Sequence, residues 1–444
     1  MGRQPFGLAS PAAWLSHAGL GVVCVDLAKE PFAERVVCEA STIGFFLPMH
    51  TATRLALPVI DRVRALNPSA RLVAYGLYAP LNEMLLRERG VHEILGGEFE
   101  EDLVTAALKG CTTAVGPPLE SRVPSPEPPA LPRLDFKVPL RAGLPPLVRY
   151  AALQDGAEQR TAGYTEASRG CKHRCRHCPI VPVYDGRFRV VSAAVVIADA
   201  RAQVDAGARH ITFGDPDFFN GIRHARDVVD RFARACPGVT YDVTIKVEHL
   251  LKHSDALPLL RETGCAFVTS AVESFDDGVL ALLEKGHTHV DIERAIALCR
   301  DARLPLSPTF VAFTPWTTVE GFIELLHEID RLDLVEHVSP IQYAIRLLVP
   351  QGSRMLELEE MRLVAGGFDP VSLTHPWRHQ DSRVDRLHAS MARLVGVNIK
   401  APRREVFDRV WDEAHTFAAH IAPMRLKPPT PRATIPYLNE PWYC

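Results

Sequence analysis

Short apolar, β-rich runs alternate with helix-patterned runs twice along this chain, and a proline-rich stretch separates the two series. Such alternation implies parallel sheets with helices on their faces. In the first series the strand-like runs are residues 21–25, 43–47, 71–75 and 91–95, with helical runs at 56–66, 81–89 and 101–108. In the second, strand-like runs at 210–214, 240–247, 267–272, 306–313 and 338–345 flank helical runs at 193–206, 256–263, 277–283, 291–302 and 319–332. Prolines crowd residues 117–146. Their missing donors and fixed φ favour an extended linker. The predicted fold class is α/β in four segments: a first domain at 1–116, a linker at 117–150, a core at 151–355 and a helical extension at 356–444.

The formal net charge of −3 over 444 residues gives no global drive toward nucleic acid or an anionic membrane. No apolar run reaches about 18 residues, so no membrane span is expected. The first residues lack a basic segment followed by an apolar run, so no signal peptide is expected and the localisation is read as cytoplasmic. The ten cysteines then read as reduced thiols, metal ligands or core residues rather than a disulfide framework.

Three of them stand in one short run, Cys171-Lys172-His173-Arg174-Cys175-Arg176-His177-Cys178. The spacing is Cys-x3-Cys-x2-Cys, with no fourth cysteine nearby. Three thiolates can hold three irons of a 4Fe–4S cubane and leave the fourth iron open. Ferredoxin-type sites use four protein ligands, so an open iron suggests chemistry at the metal. Zinc, the bland alternative, normally takes four ligands.

This run resembles the signature of the radical SAM superfamily, with His177 where an aromatic residue usually precedes the third cysteine. The resemblance implies a 4Fe–4S cluster on Cys171, Cys175 and Cys178. It implies S-adenosylmethionine (SAM) as second cofactor, cleaved reductively to a 5′-deoxyadenosyl radical that modifies an unknown substrate. It also implies a flavodoxin or ferredoxin as electron donor. The fold it implies is a Rossmann-like, cobalamin-binding-like N-terminal domain, then a partial (βα)6 barrel and a small helical C-terminal region. Cobalamin is not expected. Where a cobalamin domain carries Asp-x-His-x-x-Gly, this chain reads Asp26 to Pro31 with no histidine or glycine in place, and His50 is a lone loop histidine. The rival functions are a cobalamin-dependent methyltransferase, an RNA-modifying enzyme and, outside enzymes, an iron–sulfur scaffold or maturation protein. A small molecule or peptide is favoured over RNA as substrate. The loop is nevertheless basic, with Arg169, Lys172, Arg174, Arg176, Arg187 and Arg189. That charge suits either an electron donor or RNA phosphates.

Parallel barrels place chemistry at the carboxyl ends of their strands, and the resemblance assigns SAM contacts there. Gly214 and Asp215 match the site for the SAM ammonium, with Asp217 a weaker candidate, although Gly, Asp and Pro also build turns. Thr244, Lys246 and Glu248 would share one face of the third strand at period two, lining either a polar cavity or a solvent edge. Glu273 and Ser274 would approach the ribose or SAM carboxylate, unless Ser274 caps the next helix. Phe313 and Trp316 are adenine contacts or core. Gln342 and Arg346 end the sixth strand as candidates for SAM or substrate carboxylates.

The last residues, Glu440-Pro441-Trp442-Tyr443-Cys444, resemble the start of the tail in the radical SAM family ending Cys-Cys-Ala-Glu-Pro or Cys-selenocysteine-Ala-Glu-Pro. This CCAEP/CUAEP resemblance implies that the natural chain continues past Cys444, through a selenocysteine codon.

Overall fold

The computed structural model describes residues 2–111, 131–418 and 433–439. The first domain opens with the helix Phe6–His17 and builds a parallel sheet in the order β1 (Thr42–Phe46), β2 (Arg71–Tyr75), β3 (Glu93–Leu95). Alternation along β2 sets the layers. Leu72 and Ala74 join the helix His50–Leu66, whose Leu57, Ile60 and Val63 recur at helical spacing. Val73 and Tyr75 face the other way, onto Phe99, Leu103 and Ala106. The run at 21–25 is not a strand. It is β-branched but has no ladder partner, and Val23 is exposed.

Of the linker, residues 131–141 form neither helix nor strand, a turn follows at 142–144, and the segment is tied down at several points. Leu131 packs with Val183 and Tyr184, and Phe136 enters the main core. The Arg141 guanidinium donates to Asp199, to the Tyr164 carbonyl and to Gln4. Leu147–Arg149 form a 3-10 turn, and residues 117–130 lie outside the described residues.

The second block is a curled half-barrel. A hairpin of β4 (Ala152–Asp155) and β5 (Glu158–Thr165) leads into a short pair, β6 (Ser168–Gly170) and β7 (Phe188–Val190). The cysteine run lies between β6 and β7. Then follow β8 (His210–Phe213), β9 (Thr240–Thr244), β10 (Cys265–Glu273) and β11 (Leu306–Phe310). The sheet order is β11-β10-β9-β8-β5-β4-β12, where β12 is Tyr437–Leu438, antiparallel to β4. The five strands from β5 to β11 in this sheet are mutually parallel. Ile211, Phe213, Tyr241, Val243 and Val268 join the helices outside in one core. His210, Thr212 and Asp242 point the other way and bond to one another.

The expected sixth strand does not form. Residues 340–344 make a 3-10 turn started by Pro340, and only a bridge pairs Arg346 with Phe313. Gln342 replaces the missing strand: its side-chain oxygen accepts the Phe310 N–H at 2.8 Å. The helices Ser382–Asn398 and Arg403–His415 close this side, and Met391, Val395, Phe407 and Val410 join the barrel core. Among the described residues no helix is long and apolar enough to cross a membrane, and Cys24, Cys38, Cys171, Cys175, Cys178, Cys236, Cys265 and Cys299 are free thiols.

Candidate functional site

The cysteine run begins where β6 ends. Gly170 has φ +74°, and a Cβ there would stand 2.5 Å from the Arg187 carbonyl, so only glycine fits this turn. Two residues from the end of β8 fix its start. Asp215 accepts from the Ala167 N–H at 3.0 Å and from the Ser168 hydroxyl. Burial drives its carboxyl up to about 7, against those hydrogen bonds. Asn220, fully buried, accepts the Lys172 N–H at 3.1 Å and donates to the Gly170 carbonyl at 3.4 Å. The far side is tied to the helix Asp277–Leu282. Arg176 donates to the Leu282 carbonyl at 2.7 Å and to Glu284 at 2.6 Å.

Within this frame the three thiols sit close enough to perturb one another. Burial above all, with the neighbouring thiols adding to it, pushes Cys171 up to about 11 and Cys178 up to about 12. Cys175 is buried too. The buried Lys285 ammonium lies in the field of Cys175 and Cys178. An anionic cluster on these sulfurs would therefore meet a fixed cation.

Lys285 is held by Glu273 at 3.2 Å, and Glu273 also meets His177 Nε2 at 3.1 Å. Burial would raise the Glu273 carboxyl, but Lys285 and His177 outweigh it and bring it down to about 2. Glu273 has φ +72°, and the β10–β11 register shifts there. Such a bulge re-aims a side chain, and here it turns Glu273 onto the cysteine run.

The residues expected to contact SAM divide. Gly214 closes tightly on Tyr164, whose hydroxyl would lie 1.9 Å from an added Cβ. Asp215 is spent on the Ala167 N–H and the Ser168 hydroxyl. Ser274 accepts the Asp276 N–H at 3.0 Å, while Asp276, not Ser274, caps the following helix. Lys246 and Glu248 do not share a strand face. The strand stops at Thr244 and a helix runs Val247–Lys252, with the buried Lys246 just before it. Lys246 Nζ lies 3.4 Å from Glu248. Arg346 is not free for a carboxylate ligand. It pairs with Asp385 at 2.9 Å, donates to the Trp377 carbonyl at 2.9 Å and stacks on the Trp377 ring. Phe313 is fully buried core.

The basic excess of the loop is also largely consumed. Arg169 is buried among Glu98, Glu100 and Glu166, with Glu100 at 2.7 Å. Arg174 pairs with Asp185, and Arg189 donates to the carbonyls of Leu131, Pro132 and Phe188. His50 is neither a loop histidine nor on the surface. It is buried at the start of its helix, with Nε2 2.5 Å from the Ser372 carbonyl. The tail residues 440–444 lie outside the described residues.

Residues 165–329 match the family model described as the Radical SAM superfamily, so the chain carries a radical SAM domain. It is 25% identical over 179 residues to the ribosomal protein uS12 methylthiotransferase RimO of Desulforudis audaxviator, covering 37% of this chain and 38% of that protein. It is 25% identical over 285 residues to a tRNA-2-methylthio-N(6)-dimethylallyladenosine synthase of Jannaschia sp., covering 60% and 58%. The chain thus spans well under two thirds of these relatives' lengths. Solved structures also share its fold, and two of them illustrate the likeness. One is the radical S-adenosylmethionine methyltransferase TsrM of Kitasatospora setae with cobalamin and a [4Fe-4S] cluster, with TM-score 0.55 and 19% identity over 74% of this chain and 68% of that one. The other is the cobalamin-dependent radical enzyme OxsB, with TM-score 0.68 and 13% identity over 94% and 69%. Both were solved with cobalamin, so the expectation that cobalamin is not bound finds no support in these neighbours.

Proposed function

From a radical SAM domain over residues 165–329, we propose that this protein is an enzyme that reductively cleaves S-adenosylmethionine to modify a substrate. The observation that carries this reading is the cysteine run itself. Three free thiols hang from one loop at the carboxyl ends of a parallel half-barrel, beside the buried Lys285 cation. Cys171, Cys175 and Cys178 would hold the cluster. A 4Fe–4S cluster bound there would supply the electron for reductive cleavage of a carbon–sulfur bond of SAM.

The chain's own residues do the positioning. Lys285 offsets the negative charge of the thiolates. Glu273 holds both that ammonium and His177 Nε2. Asp215 and Asn220 fix where the loop begins, and Arg176 where it returns. Gly214, Lys246, Glu273 and Ser274 are the proposed SAM contacts, while Arg346 is assigned to the C-terminal scaffold. The N-terminal, Rossmann-like domain braces the loop through Glu98 and Glu100, which grip Arg169 one residue before Gly170.

Free thiols fit a reducing compartment such as the cytoplasm, and a flavodoxin or ferredoxin is the proposed donor. The curated relatives act, by name, on a ribosomal protein and a tRNA. RNA therefore stands beside peptides and small molecules as a substrate class. The test of the cluster ligands is anaerobic reconstitution. Wild type is expected to bind about four irons on this single three-cysteine loop. A triple Cys171→Ala, Cys175→Ala, Cys178→Ala variant that still carried a full cluster would sink the assignment.

A second reading, cobalamin-dependent chemistry, is favoured by the fold likeness, which spans nearly the whole chain. In the N-terminal domain His50 is spent on Ser372, His92 Nδ1 takes the Leu72 N–H, and His17 is exposed at a helix end. A cobalamin here would go without a ligand from His50 or His92. Stoichiometric cobalt retained through gel filtration would support this reading, and none would end it.

A further inference from the structure

Beside the cysteines stands a second cluster of ligand atoms. His173 lies in the cysteine run, Asp217 follows β8, and His249 lies in the helix Val247–Lys252. One ligand atom from each falls within 4.8 Å of the others. Asp217 Oδ2 is 2.6 Å from His249 Nδ1 and 3.5 Å from His173 Nε2. The Asp217 side chain is 1% exposed, that of His249 5% and that of His173 15%. All three atoms are buried, and they face one another with no partner outside the group. Two imidazoles and a carboxylate that meet only one another in a buried pocket call for an explanation.

The surroundings hold these side chains as a metal site's would be held. The other Asp217 oxygen accepts the Phe219 N–H at 3.3 Å and the Lys246 N–H at 3.4 Å, which aims Oδ2 inward. The other nitrogen of His173 faces a Glu248 carboxylate oxygen at 3.5 Å. A ligating histidine characteristically presents its second nitrogen to a carboxylate, which fixes the tautomer and orients the ring. The other histidine–carboxylate group of this kind, His289, Glu293 and Glu328, differs. It is only half-buried, and Arg331 takes both carboxylates.

We propose that His173 Nε2, His249 Nδ1 and Asp217 Oδ2 form a mononuclear site for a divalent transition-metal ion, distinct from the cluster. Two imidazoles and one carboxylate suit Zn²⁺ or Fe²⁺, and three protein ligands leave a position for water or a substrate donor atom. Metal–ligand bonds near 2.0–2.1 Å put tetrahedral ligand atoms roughly 3.3 Å apart. The His173–Asp217 separation already matches, and the His249–Asp217 separation opens slightly on binding. Because His173 stands between Cys171 and Cys175, an occupied site also pins the cysteine run from inside.

The test uses the reconstituted protein, loaded with Zn²⁺ and desalted. Metal analysis is expected to find one zinc per chain beside the cluster iron. His249→Ala and Asp217→Asn are expected to lose that zinc and keep the cluster absorbance. His253→Ala, whose ring is 5.7 Å from His249 but outside the ligand set, is expected to keep both. X-ray absorption at the zinc edge of wild type needs no variant. It is expected to show a nitrogen and oxygen shell with histidine scattering. A sulfur shell would place the zinc on the cysteines and overturn the proposal, as would wild type with no retained zinc or His249→Ala with the zinc undiminished. Loss of the cluster with zinc retained would count against the cluster assignment alone.

Discussion

Lys285→Met is the perturbation that most sharply probes the buried charge network behind the cysteines. Wild-type Glu273 is brought from 4.5 to about 2, which corresponds to about 3 kcal/mol favouring its ionised form. The sign follows from the depression: this stability is present above pH 4.5 and is lost as pH falls through about 2. Removing the ammonium leaves a carboxylate that is 8% exposed and still bonded to His177. Breaking one side of a buried pair costs about 3–5 kcal/mol. Glu273→Gln/Lys285→Met removes both charges and is expected to recover much of that loss, giving a coupling of at least about 2 kcal/mol. The assay is urea denaturation of the metal-free protein under anaerobic reducing conditions, as a double-mutant cycle at pH 7 and pH 5. Lys285→Met is also expected to gain on wild type at pH 5, because protonation relieves the stranded carboxylate. Additive single mutants, or a Lys285→Met protein within about 1 kcal/mol of wild type, would refute the reasoning.

Asn220→Ala frees the Lys172 N–H and the Gly170 carbonyl, and is expected to cost about 1–3 kcal/mol and slow cluster assembly, read as iron uptake by absorbance. Cys171 and Cys178 are protonated at neutral pH, being raised to about 11 and about 12. Each must lose a proton to bind iron, so iron uptake is expected to accelerate steeply from pH 7 to pH 9, and a flat profile would contradict those buried thiols. Gly170→Ala meets both a left-handed backbone and the Arg187 carbonyl. It is expected to destabilise the protein by more than about 1 kcal/mol in the same denaturation assay.

Much of this molecule was legible in the chain. Alternating runs located β8, β10 and β11 and the helices between them, because parallel strands buried on both faces need continuous apolar sequence. The cysteine spacing located the candidate cluster loop without any structure. What failed depended on neighbours. The run at 21–25 has strand composition but nothing to pair with. The sixth strand was misread although Pro340, which has no N–H, argued against a strand interior. Lys246 and Glu248 were placed by strand alternation, but Val247, Leu250 and Leu251 recur at helical spacing, a signal that the helix begins there. Arg346 looked like an anion ligand because an unpaired arginine and one stacked on Trp377 read alike in sequence. Asn220 and the His173–Asp217–His249 convergence had no local signal. They join segments brought together only by the barrel's closure.

The central claim is that this loop supports reductive cleavage of SAM, and one measurement addresses it directly. Anaerobically reconstituted protein, reduced with dithionite and given SAM, is followed by chromatography for 5′-deoxyadenosine, with the cluster's reduction monitored by electron paramagnetic resonance. The account expects slow release of 5′-deoxyadenosine even without substrate, absent from the triple cysteine variant. A demonstrably reduced cluster that produces no 5′-deoxyadenosine above that control would contradict it and leave the protein as an iron–sulfur scaffold.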